Sequence, residues 1–134
     1  MKKILFIGGS GQLGRKMTEV FKNSYSISNI DYTENQNAAF NYVLDKNLSA
    51  IENNKKVIDQ FKILNPSYKA ILVTAGGWTG GNIKDNDYFE KTLQMMNACL
   101  YPSLLGAHLA TKYLDQEGLV ILTGAAAVFK EPQP

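Results

Sequence analysis

The sequence predicts an α/β domain built as a three-layer, doubly wound parallel sheet. Three observations carry that expectation: short apolar strands alternate with helical periodicity, the first strand runs into a glycine cluster, and an acidic residue closes the second. A single domain over 1–134 is expected. With 45% hydrophobic and 19% charged residues, the composition is that of a globular protein and excludes disorder and coiled coil.

Lys3-Ile-Leu-Phe-Ile7 is an unbroken apolar run stopped by Gly8, as a strand buried on both faces requires. From Gln12, Leu13, Met17, Val20 and Phe21 recur at three- and four-residue spacing and predict a helix to about Asn23, with these four on its apolar side. Ser26 to Asp31 reads as a second strand and Phe40 to Leu44 as a weaker third. A second helix is expected from Ser49 to Leu64, its apolar face supplied by Ile51, Val57, Ile58, Phe61 and Leu64 and its end set by Pro66. Ala70-Ile-Leu-Val-Thr-Ala75 is the clearest buried strand and leads into Gly76 and Gly77. After a polar loop from Thr79 to Asn86, a helical pattern runs from Tyr88 to Leu114, with a kink expected at Pro102.

Leu119 to Thr123 makes the fifth strand, and right-handed crossovers make the sheet parallel. Leu119 to Leu122 is wholly apolar and calls for cover on both faces. Only Gly124 to Pro134 follows, with Pro132 and Pro134 opposing another helix. Native proteins avoid such an unpaired apolar edge. The chain, ending after the fifth strand, is therefore expected to be the front part of a longer domain, incomplete at its C-terminus. Cover by a partner is the alternative.

Fourteen basic against twelve acidic residues give a net charge of +2, and the pairs Lys2-Lys3 and Lys55-Lys56 are short and scattered, so nucleic acid is not an expected partner. The one cysteine, Cys99, suits a reducing compartment. The apolar run Ile4 to Ile7 is shorter than the ~7 to 15 residues of a secretory signal core. No stretch approaches the ~20 apolar residues of a membrane span, so a cytoplasmic protein without membrane contact is expected. No metal site is expected.

Gly8-Gly-Ser-Gly-Gln-Leu-Gly14 contains Gly9-x-Gly11-x-x-Gly14 between a predicted strand and a predicted helix, the context of a Rossmann-like dinucleotide fingerprint. Glycines permit the tight turn and close approach to a pyrophosphate, while the helix start supplies unpaired N–H donors and a positive dipole end. The expected cradle is Gly8, Gly9, Ser10, Gly11, Gln12, Leu13 and Gly14, with amides engaged from residue 8 onward. Asp31 stands seventeen residues beyond Gly14, near the ~20-residue offset of a ribose-binding acid. A carboxylate there accepts from ribose hydroxyls and repels a 2′-phosphate, which favours NADH. Arg15, able to accommodate a phosphate, leaves NADPH possible.

The glycine loop with Leu13-Gly14, then Ile30-Asp31, Ala70-Ile-Leu-Val-Thr-Ala-Gly-Gly-Trp-Thr-Gly-Gly-Asn82, His108-Leu-Ala-Thr-Lys112 and Gly118-Leu-Val-Ile-Leu-Thr-Gly-Ala125 resemble quinoid dihydropteridine reductases, within the short-chain dehydrogenase/reductase family. The most specific segment is Ala75 to Asn82, and the likeness extends from Lys3 to about Ala127. It implies NADH-dependent reduction of quinonoid dihydropterin to tetrahydropterin, regenerating tetrahydrobiopterin. It also implies Ala75, Gly76 and Gly77 at the cofactor, and a homodimer formed through helix 88–114. The family's proton donor belongs to a Tyr-x-x-x-Lys motif expected beyond Pro132. No catalytic residue is therefore assigned within this chain, and the 134 residues alone are expected to be inactive.

Tyr42-Val-Leu-Asp-Lys46 matches that motif but precedes the fourth strand, on the adenine side of the sheet, and is set aside. Gly124, Ala125 and Ala126 stand where short-chain reductases place a serine, leaving Thr123 as the nearby hydroxyl, and the dihydropteridine reductases likewise lack that serine. Trp78 follows strand four at the carboxyl edge, where ligands bind in open parallel sheets, and its ring suits stacking on a pterin. Asn97 and His108 are read as packing or surface residues. Two rival functions remain: a non-catalytic dinucleotide sensor or scaffold subunit, and a short-chain reductase with another substrate.

Overall fold

The computed structural model describes residues 1–130. Pro132 and Pro134 lie outside them. Five strands, β1 (Lys3–Ile7), β2 (Ser26–Asp31), β3 (Phe40–Val43), β4 (Tyr68–Val73) and β5 (Leu114–Leu122), form one parallel sheet in the order β3-β2-β1-β4-β5. The helices are α1 (Gln12–Phe21), α2 (Ala50–Leu64), α3 (Tyr88–Met95) and α4 (Tyr101–Tyr113), with a π turn over Met96–Leu100 and a 3₁₀ turn over Ala126–Phe129.

Alternation along β1 divides the core in two. Leu5 and Ile7 meet Val57 and Phe61 of α2 and Leu105, Leu109 and Tyr113 of α4. Ile4 and Phe6 join Ile27 and Leu72 on the other face, under Met17 and Phe21 of α1. These are the three layers the sequence predicts.

Helix faces match the expected ones in part: Met17 and Phe21 of α1 and Val57, Ile58 and Phe61 of α2 pack on the core, and the rest differ. On α1, Gly14 and Thr18 are buried while Leu13 and Val20 are exposed. The small pair lets the helix start press on the glycine loop, and that close approach overrides apolar periodicity. On α2, Val57 and Phe61 are buried, but Ile51 and Leu64 are exposed and Asn53 takes a buried position. The side chain of Asn53 holds both the N–H and the carbonyl of Asp45, at 3.0 and 2.9 Å. Ser49 caps α2 through Glu52 N–H (3.1 Å), and Asn65 ends it in the left-handed conformation.

Pro102 produces a π turn ahead of itself. Its missing N–H and the clash of its ring with the Ala98 carbonyl break the regular ladder, and Tyr101 N–H reaches back to Met96 O. Strand five begins at Leu114, not Leu119, directly after α4. Leu114 pairs with Tyr68, Glu117 swings to φ +65°, and regular pairing resumes at Leu119 with Ala70. β5 is the sheet edge, and Leu119 and Ile121 stay exposed beside a groove of about 300 Å³ shared with Met17, Phe21 and Tyr25.

Candidate functional site

β1 is flanked by β2 and β4, whose connections leave in opposite directions, so a crevice opens at the carboxyl ends of β1 and β4. A cleft of about 370 Å³ lies there. Gly8, Ser10, Gly11, Asp31, Ala75 and Gly76 line it, together with Ile30, Tyr32, Thr33, Leu44, Thr74, Asn97, Ala98 and Pro102. Asn97, expected as a packing or surface residue, is brought to the cleft by the π turn. Gly9, Gln12, Leu13, Gly14 and Gly77 stand behind or beside it, and Trp78 is outside its lining.

The glycines divide by what surrounds them. Gly8 has φ +87°, and a Cβ there would lie 2.3 Å from Ala75 N. On Gly9 a Cβ would meet Asn29 Oδ1 at 2.4 Å, and on Gly14 it would meet Gly9 Cα at 2.5 Å. These three are fixed by the protein's own packing. Gly11 has nothing closer than 3.6 Å and Gly76 nothing within 4 Å, yet both line the cleft. Packing does not account for glycine at 11 and 76.

Backbone donors move the expected cradle. The N–H groups of Gly8, Gly9, Ser10 and Gly11 are held internally, by Ile30 O (2.8 Å), Asn29 Oδ1 (3.0 Å), Asp31 Oδ2 (2.9 Å) and Gly8 O (3.3 Å). Gln12, Leu13 and Gly14, in the first turn of α1, find no acceptor among the described residues. The donors open to an anion are therefore those of 12–14, not of 8–11. Asp31 both lines the cleft and braces the loop, its other oxygen accepting from Tyr32 N–H (2.6 Å).

Sequence reasoning missed what holds this loop. Asn29 is fully buried on β2; besides accepting from Gly9 N–H, its Nδ2 donates to Ser10 Oγ and Asn41 Oδ1, both at 3.1 Å. Asn35 Nδ2 donates to Gly9 O (2.7 Å) and Thr18 Oγ1 (2.9 Å). Ser10 Oγ donates to Thr33 O (2.6 Å). Both polar groups of the Gly9 backbone are thus clamped by side-chain amides. Among the described residues no buried side-chain polar atom lacks a partner, so the network is closed. The available signal was Ser28-Asn29 inside a strand otherwise fit for burial.

Other candidates fall elsewhere. Arg15 Nε donates back to Ser10 O (2.6 Å), and its side chain lines a separate groove with Lys16 and Asn37. Tyr42 sits on the far strand β3, where burial and then the Asp59 charge push its hydroxyl above the ordinary tyrosine value, the wrong direction for proton transfer near neutrality. Thr123 Oγ1 donates to Val73 O (2.5 Å). His108 is exposed on α4. Among the described residues no cluster suits a metal ion, and no helix is long and apolar enough to cross a membrane.

No family model matches the chain. Solved structures share its fold: a short-chain dehydrogenase family protein from Francisella tularensis, with a TM-score of 0.82 at 21% identity over 98% of this chain and 54% of that one, and a short-chain dehydrogenase/reductase from Serratia marcescens, with a TM-score of 0.77 at 12% identity over 98% and 58%. The fold is shared with somewhat more than half of each of those chains. The chain is similar to a curated dihydropteridine reductase from Dictyostelium discoideum, at 35% identity over 127 residues, 94% of this chain. The resemblance drawn from the sequence is borne out. The chain spans about half of that relative, 54% of its length.

Proposed function

We propose that residues 1–134 form a single dinucleotide-binding domain of an NADH-dependent dihydropteridine reductase, which reduces quinonoid dihydropterin and so regenerates tetrahydrobiopterin in the cytoplasm. The observation that carries this reading is the convergence of Gly11, Gly76 and the Asp31 carboxylate on one cleft at the switch point of the sheet. The relationship to a dihydropteridine reductase supplies the oxidoreductase class and a nicotinamide dinucleotide as cofactor.

The residues fit such a group. Gln12, Leu13 and Gly14 present free N–H donors, and the positive end of α1, to a pyrophosphate. Asp31 accepts from the adenosine ribose hydroxyls, and its charge disfavours a 2′-phosphate. Arg15 is turned back on Ser10 and contributes little to NADPH binding. Ala75 and Gly76 let the nicotinamide half approach the end of β4, and Trp78 offers its exposed ring to the pterin. The bound nicotinamide supplies the hydride. No tyrosine of this chain is assigned the proton.

A homodimer through 88–114 is part of the same proposal. Phe89, Leu93, Met96, Leu100 and Leu104 form an exposed apolar stripe along α3, the π turn and α4, and an uncovered stripe of that length calls for a partner. Light scattering at micromolar concentration is expected to give twice the protomer mass.

The test is NADH oxidation by the protein encoded by the whole gene, with quinonoid dihydropterin as acceptor. Oxidation that depends on both is expected; none would sink the assignment. The isolated 134 residues are expected to bind NADH weakly at best and to turn over no pterin.

A further inference from the structure

We infer that Lys91, Met95 and Cys99 are positioning residues that zip the segment 77–81 onto α3 and the π turn and so present Trp78 outward. The inference rests on the reading of Trp78 as the pterin platform. The three side chains are spaced by four residues, along one face of the helical segment. Cys99 Sγ donates to Gly77 O (3.3 Å), Met95 Sδ accepts from Thr79 N–H (3.2 Å), and Lys91 lies against Gly81, whose added Cβ would be 3.0 Å from Lys91 Cδ. The loop thus runs antiparallel to the helix, meeting it at residues 77, 79 and 81.

The spacing has a geometric basis. Four helical residues advance about 6.0 Å and two extended residues about 6.6 Å, so an extended segment stays in step with a helix stripe when every second residue meets every fourth. Side chains at the intervening positions then face away. Trp78 is 86% exposed, although bonded neighbours on both sides are tied down. Its indole folds back over Gly80, where a Cβ would meet the ring at 2.8 Å. Lys91 Nζ is held in turn by Asp87 (3.2 Å) and Asp85 (3.5 Å). None of the three zip residues lines the dinucleotide cleft.

The experiment compares Met95→Leu, which keeps volume and removes the acceptor, with Met95→Gln, which restores one. Trp78, the chain's one tryptophan, reports binding through its emission as a stable 7,8-dihydropterin is titrated. Met95→Leu is expected to speed exchange of the Thr79 amide and to weaken dihydropterin binding about two- to tenfold. The NADH dissociation constant is expected to stay fixed, and Met95→Gln to recover both readouts. Unchanged Thr79 exchange, or faster exchange with unchanged dihydropterin affinity, overturns the inference. Trp78→Ala serves as the separate control, followed by calorimetry. Undiminished dihydropterin binding in that variant sinks the platform reading itself, whereas the Thr79 amide in Met95→Leu still decides whether the zip exists.

Discussion

The two glycine-rich loops at the carboxyl edge of the sheet are held in opposite ways. Residues 8–11 have every backbone N–H engaged, that of Gly9 by the buried Asn29 amide and that of Ser10 by the Asp31 carboxylate, and the buried side-chain hydrogen bonds around them all close. Residues 77–81 rest on two sulfur contacts and one lysine stem, and the side chain between them points into solvent. The first arrangement suits a ligand half that never changes, a dinucleotide, and leaves the loop no freedom. The second suits a site whose occupant comes and goes. Variants in the first loop are therefore expected to cost folding, and variants in the second to cost affinity alone.

Gly8→Ala tests that contrast most strongly. A methyl at φ +87°, 2.3 Å from the Ala75 backbone, forces strain and overpacking together, an expected loss of about 2–5 kcal/mol in denaturant unfolding. Native-like stability in this variant would show the loop to be pliable. Asn35→Ala comes next. It leaves the Gly9 carbonyl buried without a donor, at about 1–3 kcal/mol, and NADH affinity is expected to fall with stability because the loop loses its clamp. Asp31→Asn separates binding from folding. Its amide oxygen can still accept from Ser10 N–H, while the charge that opposes a 2′-phosphate is gone. Calorimetry is expected to show NADH weakened about tenfold or more and the preference over NADPH narrowed.

The same contrast explains what was readable in the sequence. Strands β1 and β4 follow from unbroken or nearly unbroken apolar runs, and the sheet class from their alternation with helices. Gly9-x-Gly11-x-x-Gly14 and Asp31 are visible because a fixed spacing along the chain places them. Asn29, Asn35, Asn41 and Thr18 are not, since they meet only after β2 and the segment 32–39 fold over α1; no short spacing encodes that contact. Part of the α1 and α2 faces, Leu13, Val20, Ile51 and Leu64, was misplaced for a related reason. Gly14 and Asn53 owe their inward positions to one close approach and one loop clamp, and apolar periodicity registers neither. The start of β5 was hidden by the bulge at Glu117, whose positive φ the sequence does not announce.

Trp78→Ala sharpens the comparison from the other side. An 86% exposed ring contributes little to the fold, so stability is expected to stay within about 0.5 kcal/mol of the parent while dihydropterin affinity falls. A large loss of stability here would mean the second loop is as firmly built as the first.

The smallest expected effect is electrostatic, at the outer end of the zip. Lys91 is held above its ordinary value by its hydrogen bond to Asp87, against some desolvation, with the Asp87 charge and Asp85 adding to the rise. Asp85 is held below its ordinary value, first by Asn82 N–H and, against some desolvation, by Lys91. A raised lysine contributes fully below its unfolded value and loses that contribution as pH climbs through the folded one. A lowered aspartate contributes above its unfolded value and loses it as pH drops through the folded one. The two windows overlap across neutrality, so acrylamide quenching of Trp78 is expected to be flat there and to rise only at the acid and alkaline extremes. Lys91→Met should raise quenching modestly at neutral pH and remove the alkaline limb, and added salt should mimic part of the substitution, because exposed ion pairs are weak and screened. A marked pH dependence near neutrality in the parent protein would show that some other group governs the loop.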